Sequence, residues 1–214
     1  MTSLRQSSSL LPPVPARVGF YAAPKVSPVS LRTIHLVRHG QSTWNLEGRL
    51  QGQTMEVPLT ELGLSQAQEA AECLVGLIAP GAAVGLWSSD QQRAYQTAQA
   101  IACRLGLSIR ASAALREQAL GELEGRLTTE LVPQETPPGE HVSEIAWGGG
   151  ESIAQVHIRL SDFLAGLRQE PIEEAIVVTH GDTLRVARAV LAGRTHREVE
   201  WGVIGNGEVV TLSV

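Results

Sequence analysis

The chain has 214 residues and a mass of 22.9 kDa, enough for one domain that buries roughly 70% of its unfolded surface without a metal or disulfide staple. Hydrophobic residues make up 43% and charged residues 18%, and no apolar run reaches the ~18 residues of a membrane span, which excludes a transmembrane protein. The net charge is −5; Arg5, Arg17 and Lys25 make residues 1–30 +3, which leaves −8 for residues 31–214 and excludes a broad basic face for nucleic acid.

Residues 1–30 hold Pro12, Pro13, Pro15, Pro24 and Pro28 and the run Ser7-Ser8-Ser9, a composition that packs no element. They lack the apolar stretch of a secretory signal. A disordered extension or an early start codon is expected there, ahead of an organelle transit peptide, and the protein is expected in the cytoplasm. The folded domain is expected over residues 31–214.

Leu31–Arg38 reads as a strand ended by Gly40. Thr60–Ile78 reads as a helix, because Leu62, Ala67, Ala70, Ala71, Leu74 and Ile78 recur at helical spacing behind Thr60 as N-cap. Ala83–Trp87 is a second strand. Ser88, Ser89 and Asp90 offer caps for a helix that runs to Leu105 and stops at Gly106. Ser108–Ala111 is a short strand, and residues 118–150, with Pro133, Pro137, Pro138 and Gly148-Gly149-Gly150, are irregular. Glu151–Leu167 is a helix and Ala175–Thr179 a strand buried on both faces. Gly181–Ala192 is a helix and Glu208–Ser213 a final strand. Alternating strands and helices predict an α/β fold, a three-layer sandwich whose mostly parallel central sheet carries helices on both faces. Cys73 and Cys103 fall in the helical stretches and are expected to be core thiols.

In open α/β sheets, ligands bind beyond the carboxyl ends of the strands. Three such junctions carry polar clusters: Val37-Arg38-His39-Gly40, Trp87-Ser88-Ser89-Asp90 with Arg93 following, and Val178-Thr179-His180-Gly181-Asp182. Two histidines, two arginines and a helix N-terminus suit a phosphoryl group. The free N–H groups and forked guanidinium donors hold its oxygens, and a neutral imidazole can attack it. No lysine occurs after Lys25, so any anion held in the domain is held by Arg, His, neutral donors or backbone. Taken singly, a strand-end histidine is usually a satisfied structural residue. The joint occurrence at three junctions carries the argument. His35, His157 and His196 read as packing or turn residues, and His141 as a residue of the irregular segment.

Leu36-Val37-Arg38-His39-Gly40-Gln41-Ser42-Thr43-Trp44-Asn45 resembles the signature of the histidine phosphatase superfamily, the phosphoglycerate mutase-like proteins. The resemblance continues through Pro58-Leu59-Thr60-Glu61-Leu62-Gly63, then Ser88-Ser89-Asp90 with Arg93-Ala94 and Gln96-Thr97-Ala98. Leu115-Arg116-Glu117 with Gly121-Glu122 and Glu124-Gly125 follows, then Gly149-Gly150-Glu151-Ser152 and Thr179-His180-Gly181. It spans about residues 32–213, nearly all the folded part. It implies that His39 becomes phosphohistidine, that Arg38 and Arg93 clamp the phosphoryl oxygens, and that a protonated His180 stabilises the charge in flight. Glu117 then gives a proton to the leaving oxygen, so it is expected to hold one near neutral pH, while the arginines are expected to keep His39 neutral. Asn45, Gln51, Gly52 and Gly181 match positions that line the pocket. The resemblance implies no metal and no cofactor, a small phosphorylated metabolite as the partner, and leaves a homodimer open.

The mutases of this superfamily carry a long basic insertion after the acidic loop. Here residues 118–150 are short and hold Arg126 and His141 against Glu122, Glu124, Glu130, Glu135, Glu140 and Glu144. A bisphosphorylated glycerate meets repulsion there, so a phosphatase is expected over a mutase, acting on an ester with a neutral or cationic remainder. Trp44, Trp147 and Leu120 are candidates for an apolar wall, against core packing. The alternatives are a phosphoglycerate mutase, a phosphate-binding pseudophosphatase, and a metallophosphoesterase, whose Asp-x-His and Gly-Asp-x-x-Asp clusters are missing. Asp182 is expected to cap the helix after His180.

Overall fold

The computed structural model describes residues 30–132 and 135–214. The expectations for the N-terminal extension lie outside the described residues, apart from Ser30. Five strands form one sheet in the order β3-β2-β4-β1-β5: β1 (Thr33–Arg38), β2 (Val84–Ser88), β3 (Ile109–Ala111), β4 (Glu174–Thr179) and β5 (Val209–Ser213). β1 to β4 run parallel, with Val37 opposite Val178 and Leu86 opposite Ile176, and β5 runs antiparallel beside β1.

Alternation along the strands sorts side chains to the two faces. Val37 of β1, Ile176 and Val178 of β4, and Leu86 of β2 meet Ala70, Ala71 and Leu74 of α2 (Glu61–Leu77) and Ala94, Ala98 and Ile101 of α3 (Gln92–Leu105). Ile34, Leu36, Ala175 and Val177 face the other way. There they pack with Val156, Leu160 and Leu164 of α4 (Ile153–Leu167) and with Leu184, Val186 and Ala187 of α5 (Gly181–Leu191). The predicted three layers are therefore present, and β4 is buried at all six positions, as its apolar run required. Among the described residues no helix is long and apolar enough to cross a membrane.

Thr60 caps α2, its hydroxyl accepting from Gly63 N at 3.1 Å. Gly106 ends α3 at φ +68°. The loop after β1 meets α2 closely: a Cβ on Gly40 would overlap Gly63 O, and one on Gly63 would overlap Gln41 O. Only glycine at both positions lets the β1 loop lie on the first turn of α2.

Two expectations are corrected and one element is added. The N-cap of α3 is Gln91, with no side-chain cap bond; Asp90 instead pairs with Arg116 at 2.6 Å, and Ser89 turns toward His180. Cys73 and Cys103 are exposed free thiols, because they fall on the outer faces of α2 and α3. A short helix α1 (Thr43–Glu47) was not read from the sequence; five residues are too few to show a period.

Candidate active site

The carboxyl ends of β1, β2 and β4 converge. β1 delivers Arg38 and, one residue on, His39; β4 delivers His180 in the same way; the first turn of α3, after β2, delivers Arg93. The two histidine rings stand 5.1 Å apart, edge to face, and both are buried. His39 Nδ1 lies 2.6 Å from Gly40 O. A carbonyl only accepts, so Nδ1 carries the proton and Nε2 keeps its lone pair.

Arg93 is fully buried, an unusual place for a guanidinium. Its Nη1 and Nη2 donate to Thr54 O and Gly52 O, each at 2.9 Å. Burial brings it down to about 10, while Glu117 and Glu124 oppose the fall, so it stays a cation at neutral pH. Arg38 Nη1 donates to Ile204 O at 2.5 Å, and burial likewise lowers its guanidinium. Gly181 opens α5 beside it; a Cβ there would stand 3.6 Å from Arg38 Nε.

Burial holds His39 well below 6.5, with Arg93 and then Arg38 adding to the fall against the Gly40 hydrogen bond. The downward shift of His39 expected from the arginines is thus present, with desolvation the larger cause. His180 is pushed the same way, by burial first and then by Arg93 and His39. The charged His180 expected from the sequence is therefore not its state in the free site; a bound dianion reverses the balance.

Glu117 lies at the N-terminus of α5. Its carboxylate accepts from Asp182 N at 3.2 Å, Thr183 N at 3.1 Å and Thr183 Oγ1 at 3.0 Å, and from Gln118 N at 3.0 Å. It therefore takes the capping place expected of Asp182, whose own carboxylate pairs with Arg185 at 2.7 Å. Burial and the neighbouring Glu117 charge push Asp182 up to about 6.

Asn45, Gln51 and Gly52 stand around this core with different contacts. Ser42 Oγ lies 3.0 Å from Asn45 Oδ1 and 2.7 Å from Gln51 Oε1, so one hydroxyl ties both amides. Gly52 contributes its carbonyl to Arg93 and to Gln91 Nε2, the latter at 3.0 Å.

Four site residues were missed. Ser89 Oγ bonds His180 Nε2 at 2.9 Å. Gln91, fully buried, donates to Gly52 O and Thr54 O and accepts from Glu117 N at 2.8 Å. Thr183 holds Glu117, and Asn206 donates to His39 O at 3.1 Å. Ser89 had a signal, since it sits in the quoted second motif; Asn206 had only its Gly205-Asn206-Gly207 turn.

Among the described residues, three buried side-chain nitrogens have no partner: Arg38 Nε, Arg93 Nε and His180 Nδ1. Each comes from the set gathered round His39. A buried unmade hydrogen bond costs about 1–3 kcal/mol, and one oxyanion with several acceptors can relieve all three.

Comparison with known proteins agrees with this geometry. Residues 34–214 match the family described as "Histidine phosphatase superfamily (branch 1)". The chain is 35% identical over 173 residues to the glucosyl-3-phosphoglycerate phosphatase of Mycobacterium tuberculosis, covering 75% of each chain. It is 40% identical over 163 residues to the metal-independent phosphoserine phosphatase of Arabidopsis thaliana, covering 71% of this chain and 65% of that one. The solved structure of the mycobacterial glucosyl-3-phosphoglycerate phosphatase in complex with VO3 superposes with a TM-score of 0.72 at 31% identity, covering 85% of this chain and 91% of that one.

Proposed function

The chain belongs to branch 1 of the histidine phosphatase superfamily and is a phosphatase of that type, and we propose that it hydrolyses a small phosphomonoester by way of a phosphohistidine on His39, without a metal ion. The observation that carries this reading is the trio of unpartnered buried nitrogens, Arg38 Nε, Arg93 Nε and His180 Nδ1, beside a histidine whose Nε2 lone pair is free.

In this reading His39 Nε2 attacks phosphorus in line with the leaving oxygen. Arg38 and Arg93, already desolvated, take the equatorial oxygens without reorganising. His180 Nδ1–H donates to a third, and the dianion favours the charged ring, whose Nε2–H then donates to Ser89 Oγ. Glu117 supplies the proton to the leaving alcohol and recovers it from the water that cleaves the phosphohistidine. Asn45, Gln51, Gly52 and Gly181 shape the pocket. Two fixed guanidiniums and one imidazolium balance a phosphate dianion, which supports the metal-free assignment.

The acids of residues 118–150 act less uniformly than their number suggests. Glu124 accepts from Gln53 N and Leu120 N, and Glu144 pairs with Arg197, so both hold structure. Glu130 accepts from Leu127 N at 3.3 Å and lines the cavity beside Leu120 and Trp147. That remaining negative charge supports a phosphatase over a mutase for a bisphosphorylated acid. We assign residues 31–214 to one catalytic domain with the first thirty outside it. We place the reaction in the cytoplasm, with a small metabolite and neither nucleic acid nor membrane as partner; a homodimer stays open.

The test is phosphate release in EDTA from both monophosphoglycerates, sugar phosphates, nucleoside monophosphates and phosphoserine. Release above background, lost in His39→Ala, and an acid-labile phosphate trapped on His39 are expected. Interconversion of 2- and 3-phosphoglycerate after priming with 2,3-bisphosphoglycerate, without release, makes the protein a mutase. Phosphate binding without turnover makes it a binding module.

A further inference from the structure

Beside the phosphate site lies an open cavity of about 490 Å³. Half-buried Leu50, Leu120, Leu123 and Trp147 form its floor, and Leu131 and Val132 stand exposed on its rim. Trp147 and Leu120 thus make the wall the sequence suggested; Trp44 lies elsewhere, over Gly125. The cavity meets the proposed chemistry through Asp182. Asp182 lines it, and Asp182 N donates to Glu117 Oε2. Leu50 precedes Gln51 and Gly52, and the Gly52 carbonyl anchors Arg93.

The charged residues that line it are Arg126, Glu130 and Asp182, and Asp182 is already paired with Arg185, which leaves one cation against one carboxylate. A leaving group with further negative charge finds no net attraction there, and a purely polar one leaves the leucines wet. We propose that this cavity receives the leaving alcohol, and that the protein prefers phosphate monoesters of apolar alcohols. The volume is roughly three times the ~150 Å³ that holds a benzene, so an alkyl chain of about six to eight carbons or a two-ring aryl group fits. This rests on the phosphatase reading and narrows it to a substrate class.

Ethyl, butyl, hexyl and octyl phosphate have closely similar leaving groups, so their kcat/KM values report burial and not bond strength. Full burial is worth ~0.8 kcal/mol per methylene, about fourfold, and an open cavity delivers part of that. The expected result is a rise of about twofold or more per methylene up to hexyl, with 3-phosphoglycerate at least about tenfold below butyl phosphate. Leu123→Ala and Leu131→Asp should flatten the slope. Leu131 is 38% exposed, so its replacement leaves the core intact and the test does not depend on a fragile variant. Release of phosphate with no chain-length dependence, or a slope unchanged in both variants, overturns the cavity assignment and leaves the phosphatase reading standing. No release from any ester overturns both.

Discussion

Ser89 Oγ lies 2.9 Å from His180 Nε2, and the other nitrogen of that buried ring has no partner in the protein. The serine therefore sets the ring plane and aims Nδ1 at the phosphate site. Ser89→Ala should lower kcat by about tenfold, in the range of one lost hydrogen bond of ~1–1.5 kcal/mol, and change KM little. Steady-state kinetics check it; a KM effect larger than the kcat effect would assign Ser89 to substrate binding instead.

His39 and His180 are both held below 6.5 chiefly by burial. As pH falls, the unfolded chain takes up these protons first, so stability is full above about 6.5 and declines below it. Melting temperature measured from pH 8 to 5 should fall in the lower half of that range. His180→Gln, which cannot titrate, should show a shallower fall. An identical slope in both proteins contradicts the assignment.

Gly52 has φ +46°, and a Cβ there would overlap the Glu124 carboxylate, itself held by Gln53 N, Leu120 N and Thr54 Oγ1. Gly52→Ala should destabilise the fold by about 1–2 kcal/mol and loosen Arg93 by displacing the residue-52 carbonyl that anchors its Nη2. The inhibition constant of inorganic phosphate is expected to rise about tenfold, with a lower midpoint in urea.

Asp182 titrates near 6, raised by burial and by Glu117. Above that pH its carboxylate adds negative charge beside Glu117 at the cavity; below it the charge disappears. Relative to the wild type, Asp182→Asn should raise kcat/KM above pH 6 and leave it nearly unchanged at pH 5. The ratio of the two profiles removes the titration of the substrate itself. A flat ratio from pH 5 to 8 excludes the effect.

Elements whose causes are local were legible in the sequence. β4 announced itself as an unbroken apolar run, and α2 by its spacing and Thr60. The α3 cap was misread because Ser89 and Asp90 are drawn off by tertiary partners, His180 and Arg116, which no local rule contains. Arg38, His39, Arg93, Glu117 and His180, proposed from strand-end positions and ordered motifs, are brought together by the fold. Gln91, Thr183 and Asn206 were not read from the sequence: they are neutral side chains whose partners lie 26 to 167 residues away. Exposed Cys73 and Cys103 show the limit of treating a small apolar residue on an amphipathic helix as core without fixing its face.

The turn that leads into β5 holds the His39 loop from behind. Asn206 Nδ2 and Gly207 N both donate to His39 O, and Gly207 N lies near Arg38 O as well. During synthesis on the ribosome, His39 therefore emerges more than 160 residues before the group that fixes its backbone. Until β5 pairs with β1, the loop that carries His39 lacks these anchors, whatever core the helices have already formed on the sheet.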